Sequence, residues 1–438
     1  MIRFFRTAEH FILCFVITLS VLIGLLYVTA CIPKEAFREN LLKSAEYLAE
    51  EEDEFYCLVA GDRRTLIHNY ADVITFNIMY SIDGEELWDE LMMSPFYSDN
   101  INHDYPMIEL LIERINEEKQ ADTLYDRYWH GMMMILRPLF CIFTIVQIRI
   151  IMLVVLIGLL IILSALLWKR DLPVLAVALW IGAVLSGYPM IAMCMEYVPV
   201  WLIMLGCSLA GVKIYRSDRA VAGLSVGSGV CCAFFDFLTT ETVAIVIPLA
   251  VVLCLKEKDE QIESYLQGVR WLLANGVLWG LAYIGTLFTK WILSGLVLGQ
   301  ERISLALSMM LSRQGAQSLQ LEETVFSQPV AAVLTNIRLM FGIEEIVSLE
   351  SIFAGGLIGG LLMIAVIYLF HKKGRTGVFL GLLVALGCVP ILRMIVLHNH
   401  SLEHRFFMYR SLFATIVCGV VAFVYIIDWK MFRKLMKR

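Results

Sequence analysis

The sequence predicts an all-α fold, a polytopic membrane helical bundle of about ten transmembrane helices with juxtamembrane helices on its outer surface. Three observations predict it. Long apolar runs recur along the chain, charge is scarce, and lysine and arginine concentrate in alternate connecting segments. Of 438 residues, 59% are hydrophobic and 17% charged, where soluble domains carry roughly 25% charged residues. Mean hydropathy is +0.74.

The run from Phe11 to Cys31 is the first, and Ile150 to Trp168 holds no charge at all. About 20 apolar residues cross a bilayer core of about 30 Å as a helix. Hydropathy places spans near 11–31, 149–168, 172–190, 197–212, 220–235, 242–255, 271–289, 351–370, 377–397 and 411–427. The first run exceeds the roughly 7–15 apolar residues of a signal peptide, so a retained signal-anchor helix is expected.

Orientation follows from the basic residues. Arg3 and Arg6, Lys169 and Arg170, Lys213 to Arg219, Lys256 to Arg270, Lys372 to Arg375 and the tail from Lys430 fall in alternate connections. They place both termini in the cytoplasm. The expected organisation is then a cytoplasmic N-terminus and first span (1–31), a large outer loop with amphipathic helices (32–148) and six spans (149–289). A second outer loop (290–350), then three spans and a basic tail (351–438), complete it. Acidic residues crowd between Glu35 and Asp126, and no basic stripe marks a nucleic-acid partner.

Within the outer loop, Pro33 suits a first helical turn, and Phe37, Leu41, Ala45 and Leu48 recur at helical spacing. Met107 to Ile115 and Pro329 to Phe341 read as further surface helices. Gly131 to Gln147, interrupted at Arg137-Pro138, reads as a re-entrant or interfacial helix or as an extra half-span. Gly182-Ala183 and Ser186-Gly187-Tyr188-Pro189 break one span. Eleven scattered cysteines without a CxxC read as buried thiols, not as a disulfide framework or metal site.

Polar residues at membrane depth are costly and mark function or pairing. Four clusters stand out, each at the outer end of a span. Asp72 lies in an apolar stretch, where burial suits a general base; a capping or surface carboxylate is the structural alternative. Trp129, His130 and Arg137 join aromatic faces that stack on sugars to a guanidinium fork that binds phosphate; an interfacial belt is the alternative. Asp236 and Glu241 frame a short loop, where they would bind a hydroxyl or a cation, or pair with Arg393 or Arg137. His400, His404, Arg405 and Arg410, with Arg393, form a cationic group suited to a phosphate or pyrophosphate. Its histidines follow no zinc motif, so no metal is expected there. No Walker A loop, GxSxG elbow or dinucleotide fingerprint is present.

This order of features resembles the GT-C class of integral membrane glycosyltransferases: a first span, a large outer loop bearing an acidic residue, many spans, a second outer loop, and outer loops rich in arginine and histidine. The resemblance implies a GT-C-like bundle, a polyprenyl-phosphate-linked sugar donor, a glycan or lipid acceptor, and Asp72 as base. The paired carboxylates usual after the first span of that class are missing, which argues against a required metal, and no other cofactor is implied. The phrases around Ile32-Pro33, Tyr128-Trp129-His130-Gly131, Leu136-Arg137-Pro138 and Asn399-His400-Ser401 also resemble multi-pass proteins of Gram-positive bacteria with no assigned activity. A transporter or flippase, and a non-catalytic membrane scaffold, are the competing expectations; the first would favour paired broken helices and mid-span polar groups.

Overall fold

The computed structural model describes residues 2–51, 54–84, 86–99, 106–262, 264–312, 327–342 and 376–428, together with 360 and 363. It is almost entirely helical, as expected for backbone that must satisfy its own hydrogen bonds in lipid. Among the described residues six helical segments are long and apolar enough to cross a membrane: Glu9–Ala30, Ile145–Lys169, Asp218–Phe235, Tyr265–Leu298, Gly377–Val396 and Arg405–Ile426. The chain is therefore a helical membrane bundle.

Among the described residues the expected count of about ten spans is corrected to these six. The run expected at 351–370 lies outside the described residues, save 360. Three other runs form helices that are too short. Pro173–Leu185 (α8) has 13 residues, Val198–Ile214 (α9) 17 and Val243–Lys258 (α11) 16, against the roughly 20 a bilayer core needs. Two of them show why they do not act as full spans. Helix α8 stops at Ser186 because Gly187 takes a left-handed φ of 64°, and a 3-10 turn, Tyr188–Met193, follows. That is the break read at Ser186 to Pro189, whereas Gly182-Ala183, read with it, stay inside α8. Helix α11 is buried along every residue from Val243 to Lys256, so it packs within protein instead of against lipid.

The long helices are labelled here as α1 (Ile2–Ala30), α7 (Ile145–Lys169), α10 (Asp218–Phe235), α12 (Tyr265–Leu298) and α15 (Thr376–Val396), and the sixth segment, Arg405–Ile426, ends in α18 (Leu412–Ile426). Their connections gather at two ends. At one end Lys258 pairs with Asp171 at 2.7 Å, Arg216 with Asp259 at 2.9 Å and Lys256 with Asp218 at 2.9 Å. Among the described residues, the connections that follow α1, α8, α10 and α15 meet at the opposite end.

At that end, short helices pack over the bundle. The helix α2 (Glu35–Ala49) buries Phe37, Leu41, Ala45 and Leu48, the face that helical spacing marked. The helix α3 (Asn69–Ser81) is buried along most of its length, and α5 (Met107–Glu117) covers it with an apolar face. The helix α6 (Met133–Phe140) carries Pro138, and Thr144 with Gln147 then forms a capping box that starts α7. Ser327–Met340 (α14) is the helix expected between Pro329 and Phe341. Sequence periodicity missed two short antiparallel pairs, Pro95–Phe96 with Thr123–Leu124 and a hairpin of β1 (Phe55–Cys57) and β2 (Leu66–His68). Its strands are three residues long, too short for a period-2 pattern to stand out. Asp62 closes the turn by accepting from the Arg64 backbone at 3.0 Å and side chain at 2.9 Å.

Candidate functional site

The hairpin, α3 and the polar connections enclose a cavity of about 310 Å³. Seven aromatic side chains line it: Phe55, Tyr70, Tyr125, Tyr128, Phe237, Phe406 and Phe407. Four histidines join them, His68, His130, His400 and His404, with two carboxylates, Glu196 and Glu403.

Each side chain has a positional cause. Register sets Phe55 opposite His68 across the hairpin, and their rings stack at 4.6 Å. His68 then bonds the Tyr197 hydroxyl through Nδ1 at 3.0 Å. In α3, residues 70, 71, 74 and 75 share one helical face, which is the face on the cavity. His130 takes a left-handed φ of 51° and bonds the Tyr125 carbonyl through Nε2 at 2.8 Å. Gly131 permits this turn to lie on Phe234, since a Cβ there would meet the Phe234 ring at 2.5 Å and its carbonyl oxygen at 2.6 Å. His400 and His404 sit one turn apart, their rings 4.5 Å from each other. Burial pushes both His68 and His130 down to about 3, so both are neutral at physiological pH.

Asp72 does not line the cavity. It is 1% exposed and faces α7, where Arg149 lies 3.2 Å from Oδ2. Its Oδ1 accepts from the Met195 backbone at 2.7 Å and from the Cys194 thiol at 3.6 Å. Burial pushes this carboxyl up, and Arg149 with the Met195 N–H pulls it back. Asp72 therefore fixes the Cys194–Glu196 segment, and Glu196 is the carboxylate in that segment that reaches the cavity.

Of the other expected residues, the structure brings His130, His400 and His404 to the cavity wall and sets the rest around it. Trp129 is buried, stacks on Phe234 at 5.1 Å and donates to the Thr286 carbonyl at 2.9 Å. Arg137 donates to the carbonyls of Ile32 at 2.9 Å and Ile82 at 2.8 Å, tying the end of α1 to the end of α3, and burial lowers it to about 10. Asp236 accepts from the Thr239 backbone at 3.1 Å; burial, then the Glu241 charge, raise it to about 7. Glu241 pairs with Arg393 at 2.7 Å, the structural alternative named for it. Arg393 also reaches Ser401 at 3.1 Å and His400 at 3.2 Å, so it ties the Asp236–Glu241 loop to the cavity wall. Arg410 is buried between the rings of Tyr197 and Tyr409, at 5.2 and 5.0 Å.

Arg405 lines a second cavity of about 230 Å³, with Arg63, Leu66 and Leu339. Phe55, Glu403 and Phe406 belong to both cavities, so the two adjoin. A third, apolar groove of about 150 Å³ runs along α12 beside Ile284, Leu287 and Trp291, with Arg127 at its edge, and shares Tyr128 with the first.

Sequence reasoning missed His68, Glu196 and Arg149. Glu196 carried the signal used for Asp72, a lone carboxylate between apolar runs, and Arg149 that of an arginine in a span. No protein-family model, no curated protein and no solved structure matches the chain.

Proposed function

We propose that the adjoining cavities form the transfer site of a membrane glycosyltransferase. It takes a sugar from a polyprenyl-phosphate carrier and passes it to a glycan or lipid acceptor at the outer leaflet of the cell membrane. One observation carries the reading: an aromatic cavity with carboxylates joins a second cavity lined by Arg63 and Arg405, and Glu403 stands at their junction. Aromatic faces and carboxylates suit a sugar ring and its hydroxyls. Guanidinium groups suit the phosphate. The apolar groove along α12 suits the carrier chain, which then approaches from the bilayer.

In this reading Glu403 is the base. It takes the acceptor hydroxyl proton as the acceptor oxygen bonds the anomeric carbon. The bond from that carbon to the phosphate oxygen breaks, and the phosphate leaves with the electron pair, which Arg63 and Arg405 stabilise. Asp72 is a positioning residue, through Met195. The basic connections orient both termini to the cytoplasm, which puts the cavities outside.

The test is donor turnover by the full chain in lipid nanodiscs, offered undecaprenyl-phosphate sugars. Glu403→Gln is expected to lower turnover by about 10²–10⁴-fold while donor binding persists. Neither turnover nor donor-dependent thermal stabilisation in wild type would overturn the proposal and favour a transporter or scaffold.

A further inference from the structure

We infer that His68, Cys194 and Glu196 form a binding site for a divalent transition metal, zinc above all, at the wall of the aromatic cavity. One ligand atom from each lies within 4.8 Å of the others. His68 Nδ1 is 3.9 Å from Glu196 Oε2. Zinc holds nitrogen, sulfur and oxygen ligands at about 2.0–2.3 Å, which sets ligand atoms roughly 3.5 Å apart in a tetrahedron. The side chains therefore need to close by about 1 Å, within the reach of small rotations about Cα–Cβ and Cβ–Cγ.

The donor set selects the metal. An imidazole, a thiolate and a carboxylate suit zinc and its borderline neighbours; magnesium and calcium take oxygen alone. Three protein ligands leave a fourth position, as in catalytic zinc sites. His68 and Glu196 both line the cavity, and Cys194 is buried behind them. The fourth position therefore belongs to whatever occupies the cavity.

The surroundings hold the ligands as outer partners of metal sites do. The Tyr197 hydroxyl contacts His68 Nδ1 at 3.0 Å and gives up that lone pair to the metal on binding. Asp72, locked by Arg149, holds the Met195 backbone in place, and accepts from the Cys194 thiol only until that proton leaves. With Cys194 as thiolate, Glu196 and Asp72 as carboxylates, and Arg149 as the cation, the cluster carries two negative charges in excess. A dication balances it. On binding, the metal–sulfur bond forms as the Cys194 thiol releases its proton to solvent; His68 contributes a neutral lone pair and Glu196 an anionic oxygen.

This site goes beyond the glycosyl-transfer reading, since metal binding is read on the protein alone and either can fail without the other. The experiment is titration of the chelator-stripped full chain in nanodiscs with Co²⁺, followed by Zn²⁺ as competitor. One equivalent of Co²⁺ is expected to give a sulfur-to-cobalt charge-transfer band that zinc abolishes. Cys194→Ser is expected to lose the band, and Cys31→Ser, an exposed thiol in the connection after α1, to keep it. Glu196→Gln, which preserves side-chain size, is expected to weaken cobalt binding by about tenfold or more, and it carries the test if Cys194→Ser does not fold. The inference is overturned by no band at one equivalent, by a band that survives in Cys194→Ser, or by unchanged affinity in Glu196→Gln.

Discussion

At the residue scale, the pair of Asp72 and Arg149 is the most consequential contact. Both side chains are almost fully withdrawn from solvent, so each depends on the other. Removing one partner of such a pair costs about 3–5 kcal/mol because a buried charge is left uncompensated. Arg149→Met is therefore expected to lower the melting temperature sharply. The double variant Asp72→Leu with Arg149→Met is expected to recover most of the loss, and a thermal-melt cycle checks the coupling. His130 adds a pH dependence of definite sign. Its folded value near 3 lies below the ordinary 6.5. Between those values the unfolded chain takes up a proton that the folded chain refuses, so stability is fully present above 6.5 and falls as pH falls. His130→Asn tolerates the left-handed backbone and cannot titrate there. Its melting temperature is expected to fall less than that of wild type between pH 7 and 5; equal slopes would reject the role.

At the element scale, glycine sets the contact between α10 and α12. A Cβ on Gly229 would collide with the Trp279 carbonyl, whereas Gly227 has nothing within 4 Å. Small residues let membrane helices approach until backbones nearly touch. Gly229→Val is expected to destabilise by about 1–3 kcal/mol, and Gly227→Ala to be close to neutral, by thermal unfolding in detergent. Elements with a long, regular pattern were legible in the sequence. The buried stripe of α2 and the break after α8 follow from spacing and from Gly187 and Pro189. Span length was less legible, because hydropathy alone cannot separate an apolar helix that faces lipid from one, like α11, enclosed by protein. The hairpin escaped because register, not local pattern, sets Phe55 against His68.

At the scale of the whole molecule, the polar connections supply the histidines and carboxylates that line the first cavity, and the position of each depends on distant partners. Pairing sent Asp72 inward to Arg149 and Glu241 to Arg393, while Glu196 reached the cavity. No window of sequence contains both members of either pair. That separation also has a consequence for biogenesis. Helices emerge from the ribosome in order, and a charge that ends up buried is uncompensated until its partner arrives. Asp72 waits only for α7, the next long helix. Glu241 waits through α11, α12 and the following segment before α15 delivers Arg393, which then touches Ser401 and His400 as well. The cavity wall is thus finished only after α15 and the residues through Phe407 have emerged, so a nascent chain has no complete site before then.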